Sequence, residues 1–378
     1  MLRSVLSFLV IIGLATAPSV AETFPPSPPR IDAGAYILVD FDTGKVLAAK
    51  NPTQKLPMAN LAQLMTTYIV FEELAEGKLR LDEPVKISEH AWRQGGSRTF
   101  VQVGSRVPLR SLLLGMIVQS GNDATVALAE RIAGTEAAFV QRMNATAKRL
   151  GLADTHFMDS TGLPVAGQFT TARDLALLAT ALIRDFPRYY HWFSLRRFEY
   201  NRIMQANRNG LLGTDPGVDG LKLGHTDAAG YCLVASAERR GMRLLSVVLG
   251  GQDFKDRESS SADLLNYGFR FYDTKLVAKA HTLLATAPVW KGQSPSIGVG
   301  IDQDLYVTLP RAAIPSLRTA VELQPRLMAP LSPNSTVGRL IVSAQGKTVA
   351  TAPVYPLGTD ADGGWWRDTV DTVRLWIN

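Results

Sequence analysis

The stretch from Met58 to Thr66 constrains the fold more than any other, because it opens a buried helix and carries two unexpected polar residues. Pro57 prevents a helix from running into it, and apolar residues then recur with helical spacing as far as Leu74. Asn60 and Gln63 stand three positions apart near the start of this helix. Residues with that spacing share a face, so we expect both side chains to point into a cleft above the helix.

The length and composition indicate an exported globular protein of two domains. The chain has 378 residues, of which 46% are hydrophobic and 20% are charged. Residues 1–21 have the basic start, the short apolar run and the small-x-small end of a secretory signal peptide. The apolar run is about half of the ~20 residues that a spanning helix needs, which favours a cleaved signal over an uncleaved anchor.

The composition also excludes several classes of function. The single cysteine, Cys232, rules out an intramolecular disulfide and lies in an apolar stretch that indicates a core strand. The five histidines show no paired ligand spacing, so we predict no metal and no cofactor. The formal net charge is +6 and no run of Lys and Arg stands out, so we predict no nucleic-acid partner.

The order of the predicted elements indicates an α+β domain in which helices pack on an antiparallel sheet. We predict a hairpin around residues 42–44, and later strands over residues 221–224, 231–237 and 244–249. Between them we predict helices over residues 111–118, 123–132 and 171–183, the last with Thr170 or Thr171 as its cap. The polar turn Ser120–Asn122 separates the first two helices and should face a cleft.

Several motifs together resemble those of the low-molecular-mass penicillin-binding proteins, the serine-type D-Ala-D-Ala carboxypeptidases of the bacterial envelope. The motifs that carry the resemblance are Met58–Thr66, Ala91–Arg93, Gly95–Ser97, Ser120–Ala124, Ser160–Pro164 and Val218–Thr226. The similarity continues through the second domain into the aromatic tail. It implies a penicillin-binding or β-lactamase-like domain over residues 30–272, with the D-Ala-D-Ala stem peptide of peptidoglycan as ligand.

Two catalytic positions implied by the resemblance are substituted. The family's Ser-x-x-Lys pair, which supplies the nucleophile and its base, falls on Asn60 and Gln63. An amide is a poor nucleophile, and Gln63 has no titratable amine with which to accept a proton. The chain contains no other Ser-x-x-Lys and no Gly-x-Ser-x-Gly motif. We therefore expect the covalent chemistry of the family to be lost.

The other motif positions are partly intact. By resemblance, Ser120 would relay a proton to the leaving group and Asn122 would hold the substrate amide. Lys222 keeps the cation of the family's Lys-Thr-Gly motif. Leu223, which precedes Gly224, replaces the hydroxyl that would bind the terminal carboxylate of the substrate.

The resemblance also implies that the backbone N–H groups of Asn60 and His225 would bind the substrate carbonyl, which requires no particular side chain. A simpler interpretation makes Asn60 and Gln63 a helix cap and a satisfied amide in a closed cleft. The intact polar residues could likewise form a structural hydrogen-bond network without a ligand; these are Ser120, Asn122 and Lys222.

The remainder of the chain predicts a second domain and a terminal helix. Residues 276–357 alternate as short strands punctuated by prolines, which predicts a small β-sandwich without a catalytic cluster. In residues 364–378, Trp366, Val370 and Val373 share one narrow helical face, with charged residues opposite. This pattern indicates an amphipathic helix on a membrane surface, too short and too charged to span it. The alternative is a terminal helix docked on its own protein.

These observations lead to three hypotheses of different class. The first is a catalytically deficient protein, peripherally attached at the periplasmic face of the inner membrane, that binds stem peptides or regulates an active relative. The second is an active carboxypeptidase with Ser120 as nucleophile and Lys222 as base. The third is a purely structural membrane-surface protein.

Overall fold

The computed structural model describes residues 25–215 and 217–377, so the predicted signal peptide lies outside the described residues. The strands, in chain order, are β1 (Ala35–Asp40), β2 (Val46–Lys50), β3 (Pro84–Lys86), β4 (Arg106–Pro108), β5 (Arg197–Tyr200), β6 (Ile203–Ala206), β7 (Val218–Thr226), β8 (Gly230–Arg239), β9 (Met242–Gly251), β10 (Tyr272–Ala278), β11 (Ala285–Trp290), β12 (Ser296–Gly300), β13 (Leu305–Pro310), β14 (Arg318–Leu323), β15 (Leu327–Met328), β16 (Gly338–Ala344) and β17 (Lys347–Pro356). The helices are α1 (Gln63–Ala75), α2 (Glu89–Trp92), α3 (Leu109–Gln119), α4 (Asn122–Ala133), α5 (Glu136–Arg149), α6 (Ala172–Asp185), α7 (Pro187–Tyr190), α8 (Phe254–Phe271) and α9 (Gly364–Ile377).

The chain divides into two compact units. The larger comprises Pro25–Ala280 and Gln303–Arg311, and the smaller includes His281–Asp302 and residues 312–377. The limits that we predict from the sequence, 30–272 and 276–357, stay predictions.

The larger unit is built on an antiparallel sheet with the strand order β2-β1-β9-β8-β7. Side chains alternate across β8, so Val234 enters one core while Leu233 enters the other. The first core contains Phe71 of α1 and Leu128 of α4, and the second contains Leu264 of α8. Helices therefore cover both faces of the sheet, and β7 lies at its edge. The predicted α+β arrangement is confirmed.

Several local predictions for this unit are also confirmed. Thr171 caps α6, because its Oγ1 accepts a hydrogen bond of 3.1 Å from the backbone N–H of Asp174. Cys232 is fully buried on β8, where desolvation raises the pKa of its thiol to about 11. The predicted hairpin consists of β1 and β2, which pair antiparallel.

The interpretation of Asn60 as a helix cap is wrong. Residues Ala59–Ala62 form a 3-10 turn, α1 begins at Gln63, and the N-cap position is Ala62, which makes no side-chain cap bond. Asn60 lies inside the turn, and its amide nitrogen donates to groups on other segments. The side chain of Asn60 therefore binds groups that are distant in the sequence and does not cap the first N–H groups of α1.

The smaller unit contains a six-stranded sheet with the order β14-β16-β17-β12-β11-β15, so the predicted all-β second domain is confirmed. Its last element is α9, where the Asp371 carboxylate accepts a hydrogen bond of 2.7 Å from the backbone N–H of Lys291. Trp365 and Trp366, in the first turn of α9, are 77% and 65% exposed. Within residues 25–215 and 217–377, no helix has the length and apolar character needed to cross a bilayer. Attachment to a membrane surface stays a prediction.

Candidate active site

Most of the residues singled out in the sequence meet at one pocket in the larger unit. The pocket has a volume of about 220 Å³ and is lined by Asn60, Ser97, Ser120, Arg208, Leu223, His225, Tyr231 and Arg257. Gln63, Asn122 and Lys222 are buried beside it and hydrogen-bond to its lining. The turn before α1, the turn between α3 and α4, and the edge strand β7 therefore converge, as the resemblance implies.

Gly224 allows β7 to approach the turn before α1. A Cβ atom at Gly224 would lie 2.9 Å from both the Cβ of Ala59 and the backbone N of Asn60. Any side chain at this position would push the strand away from the turn, so the glycine has a steric role. The same close approach places the backbone N–H of Asn60 against the strand that carries His225.

Ala59 has a left-handed backbone conformation, with φ at 48°, which costs free energy for a residue other than glycine. The loop that follows Ser160 packs tightly against it, since a Cβ atom at Gly162 would lie 1.6 Å from the carbonyl oxygen of Ala59. Strained backbone of this kind concentrates at functional sites. Here the strained residue, Ala59, directly precedes Asn60. The resemblance assigns the nucleophile position to Asn60.

Three amide side chains form a cluster at the base of the pocket. The Oδ1 of Asn122 accepts hydrogen bonds from the Nδ2 of Asn60 at 3.0 Å and from the Nε2 of Gln63 at 2.9 Å. The Nδ2 of Asn122 donates to the carbonyl oxygen of Gly95 at 2.8 Å. Asn60 also donates to the carbonyl oxygen of Thr161 at 3.1 Å. The cluster therefore ties together four separate segments of the chain.

Gln63 is only half satisfied in this cluster. Its Nε2 also donates to the carbonyl oxygen of Ser120 at 3.2 Å, but its Oε1 is buried without a hydrogen-bond partner. A buried acceptor without a donor costs about 1–3 kcal/mol. The interpretation of Gln63 as a fully satisfied amide is therefore wrong, because the surrounding groups accept from its nitrogen and none donates to its oxygen.

Ser120 and Lys222 form the one pair in the predicted site with the residue types of a nucleophile and a base. The Nζ of Lys222 donates to the Oγ of Ser120, and also to the carbonyl oxygen of Met116 at 3.3 Å. Lys222 is completely buried, and this desolvation, assisted by the nearby charge of Arg208, lowers its pKa from 10.5 to about 7. A substantial fraction of the lysine is therefore neutral at neutral pH and able to accept a proton.

Two arginines at the pocket are functional candidates that the sequence reasoning missed. Arg257, in the first turn of α8, is 5% exposed, and its Nε is buried without a hydrogen-bond partner. Its guanidinium lies over the ring of Tyr231 at 5.6 Å, and the carboxylate of Glu258 is the charge that most favours its protonated form. Burial lowers the pKa of Arg257. The Nη1 of Arg208 donates to the Oγ of Ser97 at 3.2 Å.

No local pattern marks these arginines, because neither belongs to a motif of the site. Arg208 follows β6, and Arg257 lies in the first turn of α8, a helix that otherwise packs on the second core. The sequence signal for them is indirect. Leu223 cannot bind a carboxylate, so a cation elsewhere in the chain would have to do so, and Arg208 and Arg257 are cations on elements next to the pocket. Within residues 25–215 and 217–377, no cluster of His, Cys, Asp and Glu has the arrangement of a metal site.

Comparisons with known proteins agree with this geometry. A family profile described as D-alanyl-D-alanine carboxypeptidase matches residues 22–253, and one described as penicillin-binding protein 5, C-terminal domain, matches residues 272–361. The D-alanyl-D-alanine carboxypeptidase DacA of Escherichia coli K12 is 41% identical over 362 residues, covering 94% of this chain and 90% of the relative. DacC of the same strain is 39% identical over 355 residues, covering 92% and 89%.

Solved structures show the same relationship. Penicillin-binding protein 5 from Haemophilus influenzae superposes with a TM-score of 0.85 at 37% identity, covering 89% of this chain and 100% of that one. Penicillin-binding protein 6B from Escherichia coli gives a TM-score of 0.75 at 37% identity, covering 87% and 97%. The chain therefore belongs to the D-alanyl-D-alanine carboxypeptidase family of low-molecular-mass penicillin-binding proteins.

Proposed function

We propose that this chain is an exported protein of peptidoglycan metabolism that binds stem peptides ending in D-Ala-D-Ala without forming an acyl-enzyme. The observation that carries the proposal is the buried Nε of Arg257, which has no hydrogen-bond partner, at a pocket where an amide, Asn60, stands at the position that the resemblance assigns to the nucleophile. The relatives are named for the D-alanyl-D-alanine end of a peptide, which supplies the ligand class.

A ligand carboxylate would complete the pocket. A buried N–H donor without an acceptor is costly, and a carboxylate at the Nε of Arg257 would supply a strong, charge-assisted hydrogen bond. Arg208 lines the same pocket and would share the negative charge. Because Leu223 offers no hydroxyl, the two arginines would hold the free carboxylate of the terminal D-Ala in its place.

A second cavity extends the proposed peptide site. It has a volume of about 230 Å³ and shares the turn before α1 with the first pocket; its lining includes Met58, Leu163, Pro164, Val165 and Thr226. Strand β7 passes both cavities, with Leu223 and His225 at the first and Thr226 at the second. A peptide that follows β7 away from Arg257 would place its preceding residues over this largely apolar surface.

The chemistry of positions 60 and 63 supports binding without acylation. Neither Asn60 nor Gln63 can be converted into a nucleophile or a base near neutral pH. Both amides instead donate to Asn122, so the side chain that would hold a substrate amide is already occupied. A ligand would have to displace one of these hydrogen bonds or bind above the cluster.

A second candidate function is hydrolysis by the Ser120–Lys222 pair. The contact between Ser120 Oγ and Lys222 Nζ, with a lysine pKa of about 7, favours it. The names of the relatives also favour it over non-covalent binding, because each is called a carboxypeptidase. In this reaction Ser120 Oγ would attack the carbonyl of the penultimate D-Ala while Lys222 takes the hydroxyl proton. The peptide bond would break, D-Ala would leave with a proton, and water would then cleave the serine ester.

Against this route stands the position of the backbone donors. The N–H groups of Asn60 and His225 are placed by resemblance for attack from position 60, so an oxyanion formed by attack from Ser120 would lie away from them. Losing one such donor lowers the rate by about 10²–10³-fold. We therefore rank hydrolysis second.

The deciding experiment measures binding and turnover on the same sample. Calorimetry should detect binding of an N-acylated tripeptide ending in D-Ala-D-Ala, and the C-terminal amide of that peptide should bind at least about tenfold more weakly, because a charge-assisted contact is lost. D-Ala release should not exceed the rate in buffer. Release that disappears in Ser120→Ala would establish the second candidate, and an absence of both binding and release would leave the purely structural hypothesis.

We also propose that residues 1–21 direct export, and that α9 holds the protein peripherally at the periplasmic face of the inner membrane. The exposed Trp365 and Trp366 support membrane contact, because indole rings suit the headgroup region. The hydrogen bond from Lys291 N–H to Asp371 supports an orientation in which a polar side of α9 faces its own domain.

A further inference from the structure

The carboxylate of Asp123 binds three consecutive backbone N–H groups of a loop beside the pocket. Its Oδ1 accepts from Thr99 at 2.7 Å, and its Oδ2 accepts from Phe100 at 2.9 Å and from Val101 at 3.2 Å. Asp123 is fully buried in the first turn of α4, one residue after Asn122. A run of N–H groups around one anion is a strong and directional arrangement, because each hydrogen bond is charge-assisted.

The loop has a conformation that its own residues do not favour. Phe100 is left-handed, with φ at 66°, although a bulky aromatic residue rarely adopts this region. Thr99 is buried, and its Oγ1 has no hydrogen-bond partner. Its side chain fills the space beside two glycines: a Cβ atom added to Gly115 would lie 2.3 Å from this Oγ1, and one added to Gly121 would lie 2.1 Å from it. The hydrogen bonds to Asp123 therefore offset both strain and an unsatisfied hydroxyl.

The same loop begins at Ser97, which lines the pocket. The carbonyl oxygen of Ser97 accepts a hydrogen bond of 2.8 Å from the backbone N–H of Asn122, and its Oγ accepts from Arg208. The Nε2 of Gln205 donates to the carbonyl oxygen of Thr99 at 3.2 Å and so links the loop to β6, just before Arg208. The loop thus contacts Arg208 directly through Ser97 and is linked to it through Gln205, while the Oε1 of Gln119 on α3 accepts from the Nη2 of Arg208 at 3.0 Å.

We infer that Asp123 is a positioning residue for recognition of the ligand carboxylate: it clamps the loop at Thr99–Val101, and the clamped loop places Ser97 and Arg208 at the pocket. This inference rests on the proposed function, because it assigns to Arg208 a share of the carboxylate. Asp123 itself does not line the pocket.

The test compares Asp123→Asn with Asp174→Asn. The amide has the shape of the carboxylate but loses its charge, and its NH₂ group would face N–H groups that need an acceptor. Asp174 is a matched control, since it is also fully buried and accepts from the backbone N–H of Asp154 and the Oγ1 of Thr155, both at 2.8 Å. Both variants should lose stability, but only Asp123→Asn should disturb the pocket.

The decisive readout is the ratio of affinities for the D-Ala-D-Ala peptide acid and its amide. We expect Asp123→Asn to lower this preference about tenfold, the effect of losing roughly one charge-assisted hydrogen bond, and Asp174→Asn to leave it unchanged. Adding Arg208→Gln to Asp123→Asn should cause little further loss, because both changes remove the same contact. An unchanged ratio in Asp123→Asn, or fully additive effects, would overturn the inference.

Ser97→Ala provides a second variant that perturbs folding less, because Ser97 is only half-buried. It should lower the acid-to-amide preference in the same direction, and an unchanged preference would count against the inference.

Crystal structures of the parent protein and of Asp123→Asn separate this inference from the proposed function. If the parent fails to bind the peptide, the proposed function fails. The inference about Asp123 is still tested by the structures. The hydrogen bond between Arg208 and Ser97 should be absent in Asp123→Asn, and its retention would refute the inference.

Discussion

Lys222 donates a hydrogen bond through Nζ to the hydroxyl of Ser120, yet this buried lysine has no carboxylate partner among the described residues. Beside this pair stand Asn60 and Gln63, at the positions where the resemblance places a nucleophile and its base. The pocket therefore retains a buried lysine, Lys222, whose desolvation lowers the stability of the folded protein. It also retains a serine–lysine pair that can transfer a proton.

The burial of Lys222 predicts a pH dependence of stability. Its pKa is about 7 in the folded protein and 10.5 as the ordinary value, so between these limits the unfolded chain binds the proton and the folded chain does not. Stability should therefore rise from pH 7 towards pH 10.5, by at most about 1.4 kcal/mol per pH unit from this group. Urea unfolding at several pH values should show this slope, and Lys222→Met should reduce it. Identical slopes would contradict the burial of a titrating lysine.

Restoring the family residues should restore the family chemistry. The triple change Asn60→Ser, Gln63→Lys and Leu223→Thr returns the nucleophile, the base and the carboxylate-binding hydroxyl to a pocket with the family's geometry. Incubation with a β-lactam should then add the mass of one drug molecule to the intact protein. The parent chain is the control and should stay unmodified. A correctly folded triple variant that remains unlabelled would mean that the pocket cannot admit the drug.

Turnover by the parent chain should be undetectable. Attack from Ser120 lacks oxyanion donors placed for it, and the loss of one such donor lowers the rate by about 10²–10³-fold. Release of D-Ala from a D-Ala-D-Ala peptide should equal the release in buffer. Catalysis above buffer that is lost in both Ser120→Ala and Lys222→Met would instead identify a carboxypeptidase with a relocated nucleophile.

Arg257 should favour binding at the expense of stability. In Arg257→Gln the peptide acid should bind about 10–100-fold more weakly, because one or more charge-assisted hydrogen bonds to the carboxylate are lost. The free energy of unfolding should not fall, since a buried and unpaired cation is removed. Arg270→Gln, at the exposed end of the same helix, is the matched control and should change neither quantity. Unchanged peptide affinity in Arg257→Gln would place the carboxylate elsewhere.

Removing residues 365–378 should move the exported protein from the membrane fraction to the soluble fraction without unfolding its larger unit. Apolar burial must supply most of the membrane affinity, because the charges of this segment nearly cancel. Trp365→Ala with Trp366→Ala should weaken attachment while keeping the contact between Asp371 and Lys291. Fractionation of cells and circular dichroism of the purified variants check both expectations. Full membrane retention after the deletion would exclude α9 as the anchor.

The sequence by itself determined the elements and the place of the site. Periodicity predicted the hairpin, the helices around Ser120–Asn122 and the strands β7 to β9, because local hydrophobic spacing records which side of an element is buried. The resemblance read from the motifs implied that Asn60, Ser120 and Lys222 would face one cleft, and they lie together at the pocket. The identity of the side chains at positions 60 and 63 is also the basis of our prediction that the family's acylation step is lost.

Only the tertiary structure decided which partners these side chains have. The residue type and position of Asn60 suggested a helix cap. Its amide nitrogen instead donates to Asn122 and to the carbonyl oxygen of Thr161, which lie far along the chain. Arg257 belongs to no motif, but the packing of α8 buries its Nε without a hydrogen-bond partner at the pocket. Hydrogen-bond partners and desolvation depend on contacts between distant segments, and no local pattern in the sequence records them.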